Sequence, residues 1–247
     1  LAGESGGAFR WSTGALFAKV SADGEIGFLA PKNSLVASGF GPFFGASGID
    51  LINQVEFKNT NYSVFGQVDY SVSPQVTLVV GGRLIRERLR YTFDSTAFVN
   101  LDDYRIETST ALFPLQPSFR GRTNDTLWAG KINLEYRAAD GSLIYAGVNR
   151  GVKGGAFNGK LPDPSPPLSP AQIPYDPETL YSYEVGAKTS LIDGQVRLGA
   201  AAFYYDYKDY QTFALINASG IISNNDADAW GGEMDAHFTF SDAFRGA

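Results

Sequence analysis

The sequence predicts an all-β fold, an antiparallel up-and-down meander of about eight long strands. The first observation is a two-residue alternation of apolar and polar side chains, as in Leu180–Lys188, where Tyr181, Tyr183 and Val185 share one side. The second is that these stretches exceed the usual strand length of about 3–10 residues. The third is that short turns alternate with long loops, which is typical of strands that cross a lipid bilayer as a β-barrel.

Taken in chain order, the alternation predicts strands at Phe9–Val20, Val55–Val72, Val76–Phe93, Arg122–Arg137, Ser142–Val152, Glu178–Leu191, Val196–Phe213 and Asp226–Phe240. Pro, Asp and Gly favour tight turns, which are predicted at Ser73–Gln75, Ala139–Gly141 and Asp193–Gly194. Long loops are predicted at 21–54, 94–121 and 153–177, with a further loop near 216–225. Because turns and loops alternate strictly, we expect the turns on one rim and the loops on the other.

The same alternation predicts which side of the wall each residue faces. The residues expected to face lipid are Trp128, Ile132, Leu134, Tyr136, Tyr181, Tyr183, Val185, Trp230, Met234 and Phe238. Those expected to face the interior are Lys131, Glu135, Glu184, Lys188, Glu233, Asp235 and His237. The strand from Val196 is ambiguous, because Ala and Gly fill both of its sides.

Composition narrows the class of protein. No apolar run approaches the ~20 residues that a membrane helix needs, whereas barrel strands spread their apolar residues and average out as mildly polar. The formal net charge is −6, and no basic patch is expected, which argues against nucleic acid as a partner. Cysteine is absent, so no thiol can act as a nucleophile or metal ligand.

Several segments in order resemble the barrel of TonB-dependent outer-membrane receptors. They are Tyr62–Tyr70, Asn149–Asn158, Pro177–Lys188, Asp193–Leu198, Ala200–Gln211 and Ala229–Asp235. The resemblance rests on the order and spacing of these segments over about residues 60–240. Residues 1–55 match the family only as a generic strand and loop. Val152 stands where the family pattern has an aromatic residue.

The resemblance implies a 22-stranded transmembrane barrel that encloses a plug domain. We therefore expect residues 1–247 to be a partial barrel domain without the plug, in the bacterial outer membrane. The implied function is TonB-energised uptake of a scarce, bulky nutrient, and the resemblance favours a ferric siderophore as that nutrient. The implied partners are the lipid bilayer, the receptor's own plug domain, TonB and the small-molecule ligand.

No enzyme chemistry is predicted, and we assign no catalytic residue, metal ligand or cofactor. The single histidine, His237, lies on the polar side with Glu233 and Asp235, which favours a solvated interior wall over a metal site. Ligand contacts are expected on the long loops, because loops on a rigid frame carry specificity. The candidate contact residues are Phe40, Phe43, Phe44, Arg120 and Tyr175.

Two alternative functions stay open at this point. A complete eight-stranded barrel with a structural, adhesion or porin-like role would require the first and last strands to pair. An outer-membrane barrel enzyme would require an acid, a base and a nucleophile near the outer rim, and the mid-strand position of His237 argues against it. Siderophore, cobalamin and oligosaccharide receptors share these barrel features, so the ligand class is not fixed by them.

Overall fold

The computed structural model describes residues 2–5, 7–39, 41–42, 48–99, 111–160, 166–216, 219–241 and 244–246. Its strands are β1 Ala2–Ser5, β2 Phe9–Ala30, β3 Ile49–Ser71, β4 Val76–Val99, β5 Ala111–Arg137, β6 Leu143–Lys153, β7 Ala156–Phe157, β8 Pro174–Tyr175, β9 Glu178–Leu191, β10 Val196–Ile216, β11 Ser219–Ser241 and β12 Phe244–Gly246. A short helix, α1, covers Leu35–Gly39, and a 3₁₀ turn covers Pro170–Gln172. No helix in the described part of the chain is long and apolar enough to cross a membrane.

Eight long strands form an antiparallel meander, as the sequence predicts. The sheet order is β1-β2-β3-β4-β5-β6-β9-β10-β11-β12, so each long strand pairs with its neighbours in sequence. The short strands β1 and β12 border β2 and β11, and β7 and β8 form a separate hairpin within the connection from β6 to β9. Among the described strands, β2 and β11 do not pair with each other, which is the pairing that a closed eight-stranded barrel requires.

The predicted tight turns all lie at one end of the meander, which we call the turn rim. They join β3 to β4, β5 to β6 and β9 to β10. In the second turn, the backbone N–H of Ser142 donates a 2.9 Å hydrogen bond to Oδ1 of Asp140, and this bond lowers the pKa of the Asp140 carboxyl. Gly141 has a φ of +85°, which glycine adopts without steric cost. Local turn chemistry therefore fixes these three connections.

At the opposite end, the loop rim, the loop predicted at 153–177 agrees with the structure, since β6 ends at Lys153 and β9 begins at Glu178. The bounds predicted for the other loops are wrong because the strands continue further. Residues 21–30 belong to β2 and residues 49–54 to β3, so the first connection is 31–48. Likewise β4 reaches Val99, and β5 begins at Ala111. The predicted loop near 216–225 is largely strand, because β10 reaches Ile216 and β11 begins at Ser219. Hydrogen-bonded ladders can continue beyond the lipid, where alternation of apolar side chains is no longer required.

The strand register puts each of the two predicted sets of residues on a single face of the wall, and the contact of one face with lipid stays a prediction. Residues that pair directly across two strands lie on the same face of the sheet. Leu134 pairs with Leu78 and Ala146, and the pairings of β6, β9, β10 and β11 extend this face across the sheet. All ten predicted lipid-facing residues share this face, which we call the outer face, and all seven predicted interior residues share the inner face. The register also resolves β10, where Ala202 lies on the outer face and Ala201 on the inner face.

Aromatic pairs mark the two ends of an apolar belt on the outer face. Phe9 stacks on Tyr70 with ring centroids 4.5 Å apart, and Phe17 lies 5.1 Å from Tyr62. Tyr62 and Tyr70 are both on β3, and at about 3.4 Å per residue the pairs are separated by about 27 Å along the strand. A tilt of about 40° reduces this to about 21 Å along the membrane normal, close to the ~25 Å apolar band of membrane barrels.

Candidate functional site

An aromatic cluster lines the inner face near the loop rim, and we define it as Tyr91, Phe93, Phe119 and Phe157. Tyr91 and Phe93 on β4 stack with ring centroids 6.4 Å apart, and Phe119 on β5 lies 5.4 Å from Phe93. Phe157 comes from the connection after β6 and stacks on Tyr91 at 5.9 Å. Phe93 is buried, whereas the other three rings are partly exposed. The cluster therefore offers aromatic surface where a ligand would enter.

Two glycines allow the connection to approach this closely. A Cβ atom on Gly121 would lie 2.5 Å from the ring of Phe157. A Cβ atom on Gly159 would lie 2.8 Å from both the ring of Phe93 and the hydroxyl of Tyr91. Larger residues at either position would push Phe157 and its connection away from the wall.

The connection between β6 and β9, whose described residues are 154–160 and 166–177, is fixed to β11 by Asn158. Its Nδ2 donates to the carbonyl oxygens of Ile222 and Gln172, both at 2.8 Å, and its Oδ1 accepts from the N–H of Ile222 at 2.9 Å. Asn158 is 4% exposed. The buried side-chain amide thus forms hydrogen bonds with three main-chain groups. Without these bonds, each buried group would lower the stability of the fold.

Other side-chain amides hold the same connection at further points. Asn53 on β3 donates to the carbonyl oxygen of Lys160 at 2.5 Å. Gln116 on β5 accepts from the N–H of Leu168 at 2.7 Å, and Gln211 on β10 donates to the carbonyl oxygen of Gly154 at 2.8 Å. The connection therefore joins β3–β5 to β10–β11, two parts of the sheet that are separated by β6 and β9.

Two of the five predicted ligand contacts, Arg120 and Tyr175, lie within the described residues. Phe40, Phe43 and Phe44 lie outside the described residues. Arg120 lies within β5 instead of a loop, exposed on the outer face opposite Thr92, so a ligand contact at Arg120 would be made from outside the wall. That contact remains a prediction.

Tyr175 does lie near the cluster. It pairs with Ala156 in the β7–β8 hairpin and is partly exposed. Burial raises the pKa of its hydroxyl, so Tyr175 stays neutral and can donate a hydrogen bond well above neutral pH.

The aromatic cluster was not predicted from the sequence, although the strand pattern contains an indication of it. Thr77 and Arg83 lie on the inner face of β4. Tyr91 and Phe93 are an even number of residues further along the strand, so they lie on the same face. Aromatic residues in positions where a barrel interior is normally polar are the signal for a binding surface. The contribution of Phe157 follows only from the long-range contact of its connection with β4 and β5.

The lone histidine shows no metal-site geometry. Nε2 of His237 lies 3.9 Å from Oδ2 of Asp235, and both side chains are exposed on the inner face. In the ranges that the structure describes, no group of three or more His, Cys, Asp or Glu side chains could hold a metal ion. The arrangement fits a solvated wall.

Comparison with known proteins gives one family match. The family model described as TonB dependent receptor-like, beta-barrel, matches residues 3–247. That range includes all eight long strands.

Solved structures with a similar fold include three metal-uptake proteins. The ferric yersiniabactin uptake receptor of Yersinia pestis is 17% identical with a TM-score of 0.55, covering 98% of this chain and 35% of its own. The ferric-catecholate import receptor of E. coli K12 is 11% identical with a TM-score of 0.56, covering 95% and 37%. A copper transporter is 15% identical with a TM-score of 0.54, covering 95% and 37%. The chain thus spans little more than a third of each of these proteins.

Proposed function

The chain belongs to the TonB-dependent receptor β-barrel family, and from this membership we propose that it forms part of the wall of a receptor that takes up a ferric siderophore. Proteins of this family lie in the bacterial outer membrane and are transporters, not enzymes. The aromatic cluster at the loop rim is the observation that carries the proposal. Aromatic rings provide large, rigid contact surfaces for a bulky ligand.

The chemistry of the wall favours an iron chelate over a bare copper ion. Copper sites in proteins use Cys, Met and His, and this chain has no Cys, one Met and one His. Met234 lies on the outer face, remote from the interior, and His237 lies beside Asp235 and opposite Arg197, neither of which is a preferred copper ligand. Two of the three similar structures described above are named for ferric chelates, which supports the same choice.

We further propose that a plug domain packs against the polar inner face and that TonB energises transport by acting on it. The supporting observation is the charged lining of this face, to which Lys131, Glu135, Glu184 and Lys188 contribute and where each of them is partly or fully exposed. Charged side chains on the interior of a barrel require water or a polar domain beside them.

Uptake by cells that express the full-length receptor tests this proposal. In a strain that lacks the receptor, its expression should restore uptake of iron supplied as a ferric siderophore, and deletion of TonB should abolish that uptake. Cobalamin, maltooligosaccharides and copper serve as competing cargoes. Uptake of one of these instead of iron would reject the siderophore assignment, and uptake that persists without TonB would reject energisation.

A substitution in the hairpin should show whether the cluster region contacts the ligand. Tyr175→Ala is expected to weaken ferric-siderophore binding by ~10-fold or more, because aromatic anchors at binding surfaces contribute about 2 kcal/mol or more. Binding to the purified full-length receptor is measured by quenching of intrinsic fluorescence. Tyr183→Ala is the control, since Tyr183 lies on the outer face within the lipid-facing belt. Equal affinities for Tyr175→Ala and the wild type would contradict the placement.

A further inference from the structure

We propose that a series of aromatic rings on the inner face of β10 is a second subsite for the cargo, which takes planar aryl groups as they pass from the loop rim toward the middle of the wall. We call this surface the aromatic track, and it consists of Phe203, Tyr205, Tyr207 and Tyr210. The inference rests on the proposed function and narrows it, because it assigns the receptor an iron chelate of the catecholate class, whose iron-binding groups are aryl rings.

The register places the track on the inner face, where a barrel interior is normally polar. Tyr205 pairs with Ser182 on β9 and with Ala229 on β11, which are both inner-face residues. Of the four aromatic residues in the run 203–207, only Tyr204 lies on the outer face, opposite Tyr183. Aromatic girdles of membrane barrels face the lipid. A girdle therefore accounts for Tyr204 and leaves the inner rings without an explanation.

The four rings form one continuous series of contacts. Ring centroids are 4.7 Å apart for Phe203 and Tyr205, 6.4 Å for Tyr205 and Tyr207, and 5.0 Å for Tyr207 and Tyr210. Tyr210 follows a register shift and pairs with Asn225, an inner-face residue of β11, so it continues the same face. All three distances lie in the ~4.5–7 Å range of favourable aromatic pairs. A planar group can therefore pass from one ring to the next without losing aromatic contact.

Small residues on β11 leave the rings open to the interior. Three of them lie directly opposite the three lower rings of the track, namely Gly231, Ala229 and Ala227. A Cβ atom on Gly231 would lie 2.8 Å from the ring of Phe203, so this ring lies over the glycine. Phe203, Tyr205 and Tyr207 are partly exposed, and Tyr210 is exposed. The track thus presents aromatic surface to the interior of the barrel.

The polar groups beside the track favour an aryl group over an organic cation or a sugar. The carboxylate of Glu184 accepts a 2.7 Å hydrogen bond from the hydroxyl of Tyr145, and that of Glu178 accepts a 2.9 Å hydrogen bond from the N–H of Gln211. Both carboxylates are therefore engaged by the wall itself. The small residues of β11 offer no side-chain hydrogen bond to sugar hydroxyls. Stacking on the ring faces needs neither a charge nor a hydrogen bond.

The upper end of the track meets the candidate site. Tyr210 precedes Gln211, whose Nε2 donates to the carbonyl oxygen of Asp176 at 3.1 Å. Asp176 follows Tyr175 of the β7–β8 hairpin, and the same hairpin carries Phe157 of the aromatic cluster. One hairpin thus connects the two aromatic surfaces. This continuity identifies the cargo as the occupant of the track, because a chelate held at the cluster has Tyr210 as its next aromatic contact.

Uptake of two iron chelates by cells that express the full-length receptor tests the proposal. A receptor-deficient strain receives radioactive iron either as a ferric tris(catecholate) or as a ferric tris(hydroxamate) without aryl rings, and the wild type should take up the catecholate faster. Tyr205→Leu should lower the maximal rate of catecholate uptake by at least ~5-fold, because it interrupts the series of rings. Its Kd for the catecholate, measured on the purified receptor, should change by less than ~2-fold, since the aromatic cluster is intact.

Tyr204→Leu is the matched control, because it makes the same substitution at the neighbouring residue on the outer face, and its uptake should equal that of the wild type. Tyr205→Phe keeps the ring and should transport within ~2-fold of the wild type. Heat-modifiable migration on gels verifies folding, and Tyr207→Leu replaces Tyr205→Leu if that variant does not fold. Equal catecholate uptake by Tyr205→Leu and Tyr204→Leu, or hydroxamate uptake at an equal or higher rate in the wild type, would overturn the track and leave the siderophore proposal standing. Uptake of neither chelate would overturn the proposed function, and this inference with it.

Discussion

Ala202→Arg in the full-length receptor is expected to impair assembly in the outer membrane, whereas Ala201→Arg is expected to be tolerated. Ala202 lies on the outer face of β10 between Val185 and Gly232, within the apolar belt. An Arg side chain at the lipid midplane costs about 2–4 kcal/mol. The change should appear as a loss of the folded, heat-modifiable form in membranes and as a lower unfolding free energy in vesicles.

Ala201 is a close control because it is the neighbouring residue, has the same side chain and lies on the opposite face. It pairs with Gly186 and with Glu233, so a new guanidinium group there would face the interior with a carboxylate directly opposite. The length of the side chain and the added charge are identical in the two variants. Equal tolerance, or equal loss, would contradict the assignment of lipid-facing and interior sides for β10.

The membrane-embedded part of the wall could be predicted from the sequence because lipid imposes a strict alternation there. The strand predicted at Glu178–Leu191 has those bounds in the structure, with its turn formed by Asp193 and Gly194. Inside the membrane, outward positions must be predominantly apolar, and tight turns favour residues that tolerate a positive φ, as Gly141, Asp193 and Gly194 do here. Both requirements are local, so a local pattern reveals them.

The ends of the strands at the loop rim could not be predicted in the same way. β5 begins at Ala111 although Pro114 and Pro117 lie within it, and a proline cannot donate a ladder hydrogen bond. The sheet accommodates this with register shifts where Ser95 faces Gln116 and Thr96 faces Pro114. Outside the lipid, pairing depends on the neighbouring strand and not on the alternation within one strand.

The candidate site was only partly predictable because it is built from long-range contacts. The inner-face direction of Tyr91 follows from strand parity, but its contact with Phe157 joins residues far apart in sequence. The amides that hold the connection are equally remote, as in the hydrogen bond from Asn53 to Lys160. Loop composition indicated where ligand contacts could lie, and only the folded chain identifies which side chains meet.

Asn158→Ala is expected to release the connection between β6 and β9 from β11. The substitution leaves the N–H and carbonyl of Ile222 and the carbonyl of Gln172 without their present partner. Each buried polar group left unsatisfied costs about 1–3 kcal/mol, and local opening of the connection relieves this cost by exposing the groups to water. The population of the open form should therefore rise by at least ~10-fold.

Trypsin cleavage after Lys160 measures this opening, since Lys160 is 1% exposed in the closed arrangement and its carbonyl is bound by Asn53. When opening and closing are fast, the cleavage rate follows the open population, so the variant should be cut at least ~10-fold faster at this bond. Asn225→Ala is the control, because Asn225 is exposed on β11 and its side chain hydrogen-bonds to Thr212 and Ser223, both outside the connection between β6 and β9. Its rate should match the wild type. If Asn158→Ala is cleaved no faster than this control, Asn158 does not hold the connection in place, and the other amides must fix it without help.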